Sequence, residues 1–404
     1  MLFAASITLA MACAASVLRH SGALRGDSVL ATKQQRDLTV LALFGAFLGL
    51  GVLAKGPAAL ILSGGAIGIW ALATKKWRAT FRLAHPAGIA AFCLVALPWY
   101  VVCAQRNPDF LNVFIFQHNF ERYLTPVFQH QQPFWFFGPI TVLALLPWTV
   151  FLFGSLQQGL RLWREKSWAA SPGFFFACWA IFPLVFFSFS QSKLPSYILP
   201  AVPPLTLITS QGAIRAFQRG RSNAVVVCAG TAMIWIVLAL VFAHVERSGL
   251  MSGAQPHSAF LFVAVIVIVI LVAASLLDAG MRRDLRLTVA ISCLSVAAAV
   301  GIANIAVLPA LDPIVSARPY AELLQNDLRP DRIFAFQLKR TWNYGLAFYL
   351  HRELPEWPPE DPNAALVLTN REGFEKIEKA GRFHGELEQS NRGIFFVPIE
   401  SAPR

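Results

Sequence analysis

Three polar stretches interrupt the long apolar runs of this chain, and each carries a residue able to hold an anion. The first is Leu53-Ala54-Lys55-Gly56-Pro57, where a lysine ends an apolar run and a Gly-Pro pair breaks helical continuity before the next run begins. Such a turn fixes Lys55 at a membrane interface, and the same placement also suits a snorkelling lysine that merely anchors the hairpin. The second stretch, Arg106 to Pro133, opens with Asn107 as a helix cap and Pro108 at the first helical position. Phe110, Leu111, Val113 and Phe114 give the turns that follow an apolar side, which should lie along the membrane surface. Further on, Arg122 presents a planar fork of donors suited to a phosphate, or equally to an ion pair with Glu121 or Asp109. His118 and His130, with Asp109 or Glu121, are residue types that hold a divalent metal, at spacings that match no ligand pattern. The third stretch, Ser190-Gln191-Ser192-Lys193-Leu194-Pro195-Ser196-Tyr197, leads a polar tetrad into a helix with Pro195 and Pro200 in its first turns. Free backbone N–H groups at such a helix mouth favour an anion, and Tyr197 adds a hydroxyl; a proline-shaped helix start with an anchoring lysine is the plainer reading.

Brought together, Lys55, Arg122, Lys193 and Tyr197 would form an anion pocket bordered by lipid. That suits a phosphate whose other substituent is a long isoprenoid chain: the tail stays in the bilayer and the head meets cations. If a sugar leaves such a phosphate, negative charge grows on the leaving group, and cations already in place lower the barrier. The expected chemistry is glycosyl transfer, which needs no redox or nucleotide cofactor.

These stretches must be positioned by membrane-spanning helices. Apolar residues make up 56% of the 404 positions and charged residues only 14%, a balance that argues against a water-soluble fold. The expected spans are residues 1–18, 38–54, 57–74, 86–104, 134–154, 173–190, 196–214, 224–244, 258–279 and 287–308, about ten in all. Five connections are basic: Arg19 to Arg36, Lys75 to Arg82, Arg161 to Lys166, Arg215 to Arg221 and Arg282 to Arg286. They alternate with the others, so the positive-inside rule gives one orientation for the whole chain, with Lys55, the loop of about 106–133 and Ser190 to Lys193 all at the outer face. The net charge of +12 is accounted for by these clusters, so a nucleic-acid partner is not expected.

The six cysteines, Cys13, Cys93, Cys103, Cys178, Cys228 and Cys293, fall in or beside apolar segments without metal-like pairing and read as small packing residues. The middles of the spans hold almost no ionisable groups, which disfavours transport. After Leu308 hydropathy falls. Residues 316–404 mix short β-like runs (332–336, 364–369, 393–397) with helical ones (342–350, 371–380), the pattern of a small soluble α/β domain on the outer side. Trp342, Tyr344, Phe348 and Tyr349 offer that domain aromatic faces for a sugar, although Phe348 and Tyr349 also suit packing on its strands.

At the motifs Leu53-Ala54-Lys55-Gly56, Leu97-Pro98-Trp99-Tyr100, Pro108-Asp109-Phe110, Arg122-Tyr123, Gln132-Pro133-Phe134-Trp135-Phe136, Leu146-Pro147-Trp148, Phe187-Ser188 and Lys193-Leu194-Pro195-Ser196-Tyr197-Ile198-Leu199-Pro200, the sequence resembles polyprenyl-phosphate-dependent glycosyltransferases of the GT-C type. The nearest branch looks like the aminoarabinose transferases that modify lipid A, with their relatives in glycosyltransferase families 39 and 83, which include protein mannosyltransferases. The motifs run from Met1 to about Gln218; beyond that the likeness is one of layout. The resemblance implies a helical GT-C bundle over residues 1–315 and a periplasmic domain over 316–404, in a bacterial inner membrane. It assigns the carrier phosphate to Lys55, Arg122 and Tyr197, with Lys193 in the same signature. It implies an undecaprenyl-phosphate donor, 4-amino-4-deoxy-L-arabinose as a candidate sugar, and lipid A or another outer-face acceptor. No cofactor is required, and a divalent metal is left open.

Family members begin with further helices and a large first outer loop that carries the acidic residue assigned to catalysis. Met1-Leu2-Phe3 looks like a point within a member's fourth helix, so the resemblance places that acid upstream of Met1 and no catalytic residue within the chain. Two other classes are weighed beside the transferase. A flippase of lipid-linked sugars would move its substrate without bond cleavage, and an inactive truncated remnant would bind polyprenyl phosphate without forming product.

Overall fold

The computed structural model describes residues 1–21, 23–24, 34–114, 132–247, 259–309, 312, 316–325, 333–358, 365–381, 388–389 and 395–399. The chain divides into two units, Met1–Trp235 with Val272–Ser292, and Ile236–Leu271 with Cys293–Arg404.

Eleven helices carry the apolar runs: α1 (Leu2–His20), α2 (Gln34–Lys55), α3 (Ala58–Thr74), α4 (Pro86–Arg106), α5 (Phe137–Ala144), α6 (Thr149–Arg164), α7 (Pro172–Ser188), α8 (Val202–Arg219), α9 (Arg221–Arg247), α10 (Ala259–Arg282) and α11 (Leu285–Ile302). In lipid, a helix is what satisfies every backbone polar group within one segment, so such runs have little alternative. Each of the ten expected spans falls on a helix, but they are not ten equal crossings. Among the described residues, six are long and apolar enough to cross a membrane: α1, α2, α4, α9, α10 and α11. The expected span 134–154 is instead α5 with its preceding turn and α6, bent by 113° at their break. Pro147 lies in that break, where it withholds an N–H from the ladder. Counted as one crossing, this pair makes seven. At 17 residues each, α3 and α7 are shorter; at a rise of about 1.5 Å per residue they fall short of a core of about 30 Å.

The first unit packs around α1 and α3. Ile7, Met11, Ala14 and Leu18 recur at helical spacing on one side of α1 and are buried, as are Ala59, Leu62 and Ala66 on α3. Trp70 at the far end of α3 meets Phe175 of α7 edge to face, ring centroids 5.6 Å apart. Water drives none of this between helices in a bilayer, so close approach matters more than hydrophobicity. Gly45 and Gly49, one turn apart on α2, show it. A Cβ on Gly45 would come within 1.8 Å of the Gly88 carbonyl oxygen on α4, so the two backbones touch there. Gly212 does the same for α8 against α6, since its Cβ would lie 2.0 Å from the Phe151 carbonyl oxygen.

Within the second unit, a four-stranded sheet has the order β1-β2-β4-β3, from β1 (Ile333–Phe336), β2 (Ala365–Thr369), β3 (Glu388–Gln389) and β4 (Phe395–Ile399). β1 and β2 are parallel, and β4 runs antiparallel to both β2 and β3. Period-two alternation sends Leu368 and Phe396 to one face, with Tyr320, Leu324 and Leu346 from α12 (Arg318–Gln325) and α13 (Arg340–Leu350). Val367 and Val397 go to the other, with Trp357 and with Ile377 of α14 (Arg371–Lys379). Covered on both faces, the sheet has its own core. Of the aromatics expected to pack or to meet a sugar, Tyr349 and Trp342 pack against the first of these faces, whereas Phe348 is 69% exposed and Tyr344 59% exposed. The expected packing of Phe348 on a strand is therefore corrected: on α13 it points away from the sheet's core.

Candidate functional site

Lys55 is the last residue of α2, where a cation complements the negative end of the helix dipole. Gly56 then takes a left-handed conformation, φ 68°, and its N–H returns to the Val52 carbonyl oxygen at 2.7 Å. With a Cβ that conformation would be strained, so the glycine ends the helix there and Pro57 caps the next. The same Val52 oxygen accepts the Tyr100 hydroxyl at 3.0 Å. Tyr100 thus ties the Lys55 hairpin to α4, and its ring meets Phe110 and Phe114 of the following segment at 6.0 and 5.8 Å.

That segment begins as its sequence suggests. Asn107 Oδ1 accepts the Asp109 N–H at 3.2 Å, the Val113 N–H reaches the Asp109 carbonyl, and Phe110 stacks on Phe114 one turn later. Arg122 lies outside the described residues, as do His118, Glu121, Tyr123 and His130. Among the described residues no group of three or more His, Cys, Asp or Glu side chains could hold a metal ion.

The polar tetrad lies beyond α7. Pro195–Ala201 forms a 3₁₀ helix rather than the first turns of an α-helix. Pro200 lacks the donor an α-helical turn would need, and its ring would clash with the carbonyl four residues back; α8 starts only at Val202, with Pro203 and Pro204 in its first turn. The tight turn buries Tyr197 to 8% exposure, with its ring 4.9 Å from that of Phe187 at the end of α7.

Lys55 meets this turn. Its ammonium lies 4.2 Å from the Tyr197 ring centroid, 5.3 Å from that of Phe3 at the start of α1 and 5.8 Å from that of Phe187. Cation–π attraction of this kind is worth about 0.5–2 kcal/mol, more as water is excluded. Three elements distant in sequence therefore converge on one ammonium. Phe3, Phe187 and Tyr100 were not singled out for this role by residue type; aromatics are too common in spans for type alone to mark them, although Phe187 and Tyr100 sit within quoted motifs.

Lys193 is engaged differently. Only 8% exposed, its ammonium donates to the Ser190 carbonyl at 2.7 Å and the Gln132 carbonyl at 3.0 Å. Two of its three donors are used on main chain, and one of those bonds fastens the end of the loop that starts at Arg106. Ser190 Oγ bonds the Ser192 carbonyl at 3.0 Å, which closes the tetrad on itself. Of the four expected residues, Lys55 and Tyr197 are brought into contact, and Lys193 is occupied by carbonyls.

Residues 1–114 match the family Dolichyl-phosphate-mannose-protein mannosyltransferase. The chain is similar to the undecaprenyl phosphate-alpha-4-amino-4-deoxy-L-arabinose arabinosyl transferase of Erwinia tasmaniensis, 32% identical over 249 residues, which cover 57% of this chain and 43% of that protein. To the protein so named in Serratia proteamaculans it is 37% identical over 180 residues, 44% of this chain and 31% of that one. The chain spans less than half the length of these curated relatives. The crystal structure of ArnT from Cupriavidus metallidurans bound to undecaprenyl phosphate matches 100% of this chain and 79% of its own, with a TM-score of 0.67 and 19% identity. The chain therefore shares the fold of that structure, a multi-pass bundle of membrane helices.

Proposed function

We propose that this chain takes part in sugar transfer from a polyprenyl-phosphate donor, of which undecaprenyl phosphate is the expected carrier, to an acceptor at the outer face of a bacterial inner membrane. The observation that carries the reading is the seat of the Lys55 ammonium, at the end of a membrane helix and 4.2 Å from the ring of Tyr197. A fixed cation there meets the phosphate of a lipid whose tail remains among the helices. As the glycosidic bond breaks, charge builds on the departing phosphate, and a preplaced ammonium stabilises that state more than the ground state. Tyr197 adds a hydroxyl donor, Arg122 a second cation, and Lys193, by holding the Gln132 carbonyl, positions the end of the loop that bears Arg122. The chain spans less than half the length of the curated relatives it matches, and the roles proposed here concern the carrier phosphate alone. An acceptor phosphate on lipid A is already ionised and asks less of a general base than a hydroxyl would. The sugar is proposed to be 4-amino-4-deoxy-L-arabinose, by similarity. Residues 1–315 are proposed as the helical domain and 316–404 as a domain on the periplasmic side.

Transfer from synthetic undecaprenyl-phosphate aminoarabinose to lipid A, followed by mass analysis in proteoliposomes, tests this. Lys55→Ala, Arg122→Ala and Tyr197→Ala should each lower product formation steeply, Lys55→Ala by about 10²–10³; product unchanged in all three removes the mechanism. Donor that crosses the bilayer uncleaved points to a flippase instead. Donor that binds but never yields product marks a non-catalytic remnant.

A further inference from the structure

A groove of about 460 Å³ runs between α6, α7 and α8, near the end of α7 away from Lys193. Its walls are apolar, with Leu156 and Ile181 open to the surroundings, and its mouth is formed by Trp163, Trp168 and Arg215. Arg215 is half-buried on α8 and donates to Gln211 Oε1 of its own helix at 3.1 Å; among the described residues no carboxylate comes within ion-pair distance of it. A cation held so close to apolar surface costs desolvation that an anion would offset. The neighbouring carboxylate at this end, Glu165, is already paired with Arg161 at 2.7 Å. One turn beyond, Arg219 bonds Gln157 Oε1 at 3.3 Å. Among the described residues neither guanidinium has a carboxylate partner, and the two tryptophans that line the groove with Arg215 are of a type enriched at membrane interfaces.

We propose that this groove holds one anionic glycerophospholipid, with an acyl chain along Leu156 and Ile181 and its phosphodiester on Arg215. A volume of 460 Å³ lies within the range of about 300–1,000 Å³ usual for small-molecule sites. The commitment to a charged lipid comes from the contrast with a second groove, of about 330 Å³, between α6, α8 and the start of α11. Leu145, Phe151 and Val289 are among its lining, which includes no ionisable residue, so it gives a chain room without selecting its headgroup. A zwitterionic lipid also carries a phosphate, so the prediction is a preference set by net charge. The site is separate from the one that holds Lys55 and stands or falls independently of it.

Native mass spectrometry of the purified chain, in detergent with equal phosphatidylglycerol and phosphatidylcholine, reads that preference. One phosphatidylglycerol should be retained several-fold over phosphatidylcholine. Arg215→Gln should bring the ratio near unity and Arg215→Lys should keep most of it. Ile181→Trp, which fills the groove from its open side, should lower retention of both lipids. Arg286→Gln, in a different basic connection, should change nothing. Equal retention by the native chain, a preference that survives Arg215→Gln, loss of preference in Arg286→Gln, or displacement of the lipid by inorganic phosphate would each overturn the proposal.

Discussion

At the two ends of α7, lysines reach across the first unit, and they do so by different physics. Near its start, Lys76 donates to the Ala23 carbonyl and, at 3.4 Å, to that of Ala169, with Trp70 beneath it at 5.8 Å. Beyond its end, Lys193 is likewise bonded to two carbonyls. Lys55, at that same end, is seated on the faces of Phe3, Phe187 and Tyr197. A carbonyl fixes an ammonium in direction as well as distance, which suits a strut. A ring face fixes its location with looser direction, which suits a charge that must meet a ligand. The end of α7 at Ser188 thus has both devices beside it, and the start at Pro172 chiefly the strut.

The largest effect should come from Lys55→Ala. Removal of one preplaced donor from a developing anion typically costs about 10²–10³ in rate, so transfer should fall by that order while the thermal midpoint stays nearly unchanged. Lys193→Met should do the reverse in kind. It orphans two carbonyls at a cost of about 1–3 kcal/mol, visible as a lowered unfolding midpoint, and transfer should suffer less than in Lys55→Ala. An unshifted midpoint with transfer reduced as deeply as in Lys55→Ala would erase the distinction between strut and ligand-facing charge. Tyr100→Phe is a finer probe. Loss of its bond to the Val52 carbonyl should cost about 0.5–1.5 kcal/mol, with a modest fall in transfer because the hairpin, not the charge, is disturbed. The smallest effect concerns Lys76, whose pKa burial lowers from its ordinary value of about 10.5. With the folded value below the unfolded one, the unfolded chain binds more protons in the alkaline range just under 10.5, so stability should rise with pH there. Lys76→Gln should flatten that slope in pH-resolved thermal unfolding; an unchanged slope assigns it to another group.

The helices were legible because uninterrupted apolar runs leave a chain in lipid no other regular structure. Their limits were legible too: α3 ends at Thr74 and α7 begins at Pro172, against expected spans of 57–74 and 173–190. The break between α5 and α6 was foreshadowed by Pro147, yet its angle depends on what α6 rests upon, and Gly212 is the residue that lets it rest there. At the site, the Gly-Pro turn and the proline-rich string announced where Lys55 and Tyr197 would stand, because prolines and glycine constrain the backbone locally. That Lys55 would meet the rings of Phe3 and Tyr197, and Lys193 the Gln132 carbonyl 61 residues away, depends on contacts between distant parts of the chain, which no local pattern encodes. Strand positions in 316–404 were legible from alternation, while the outward turn of Phe348 was not, because helical phase decides it.

The backbone contact between Gly45 and Gly88 has a mechanical corollary. With no side chain between them, and with Tyr100 bonded to Val52 three turns of helix further along, α2 and α4 behave as a welded lever rather than as two rods. A displacement of the segment that follows Arg106, such as a substrate arriving there would impose, is delivered to the Lys55 hairpin without slack.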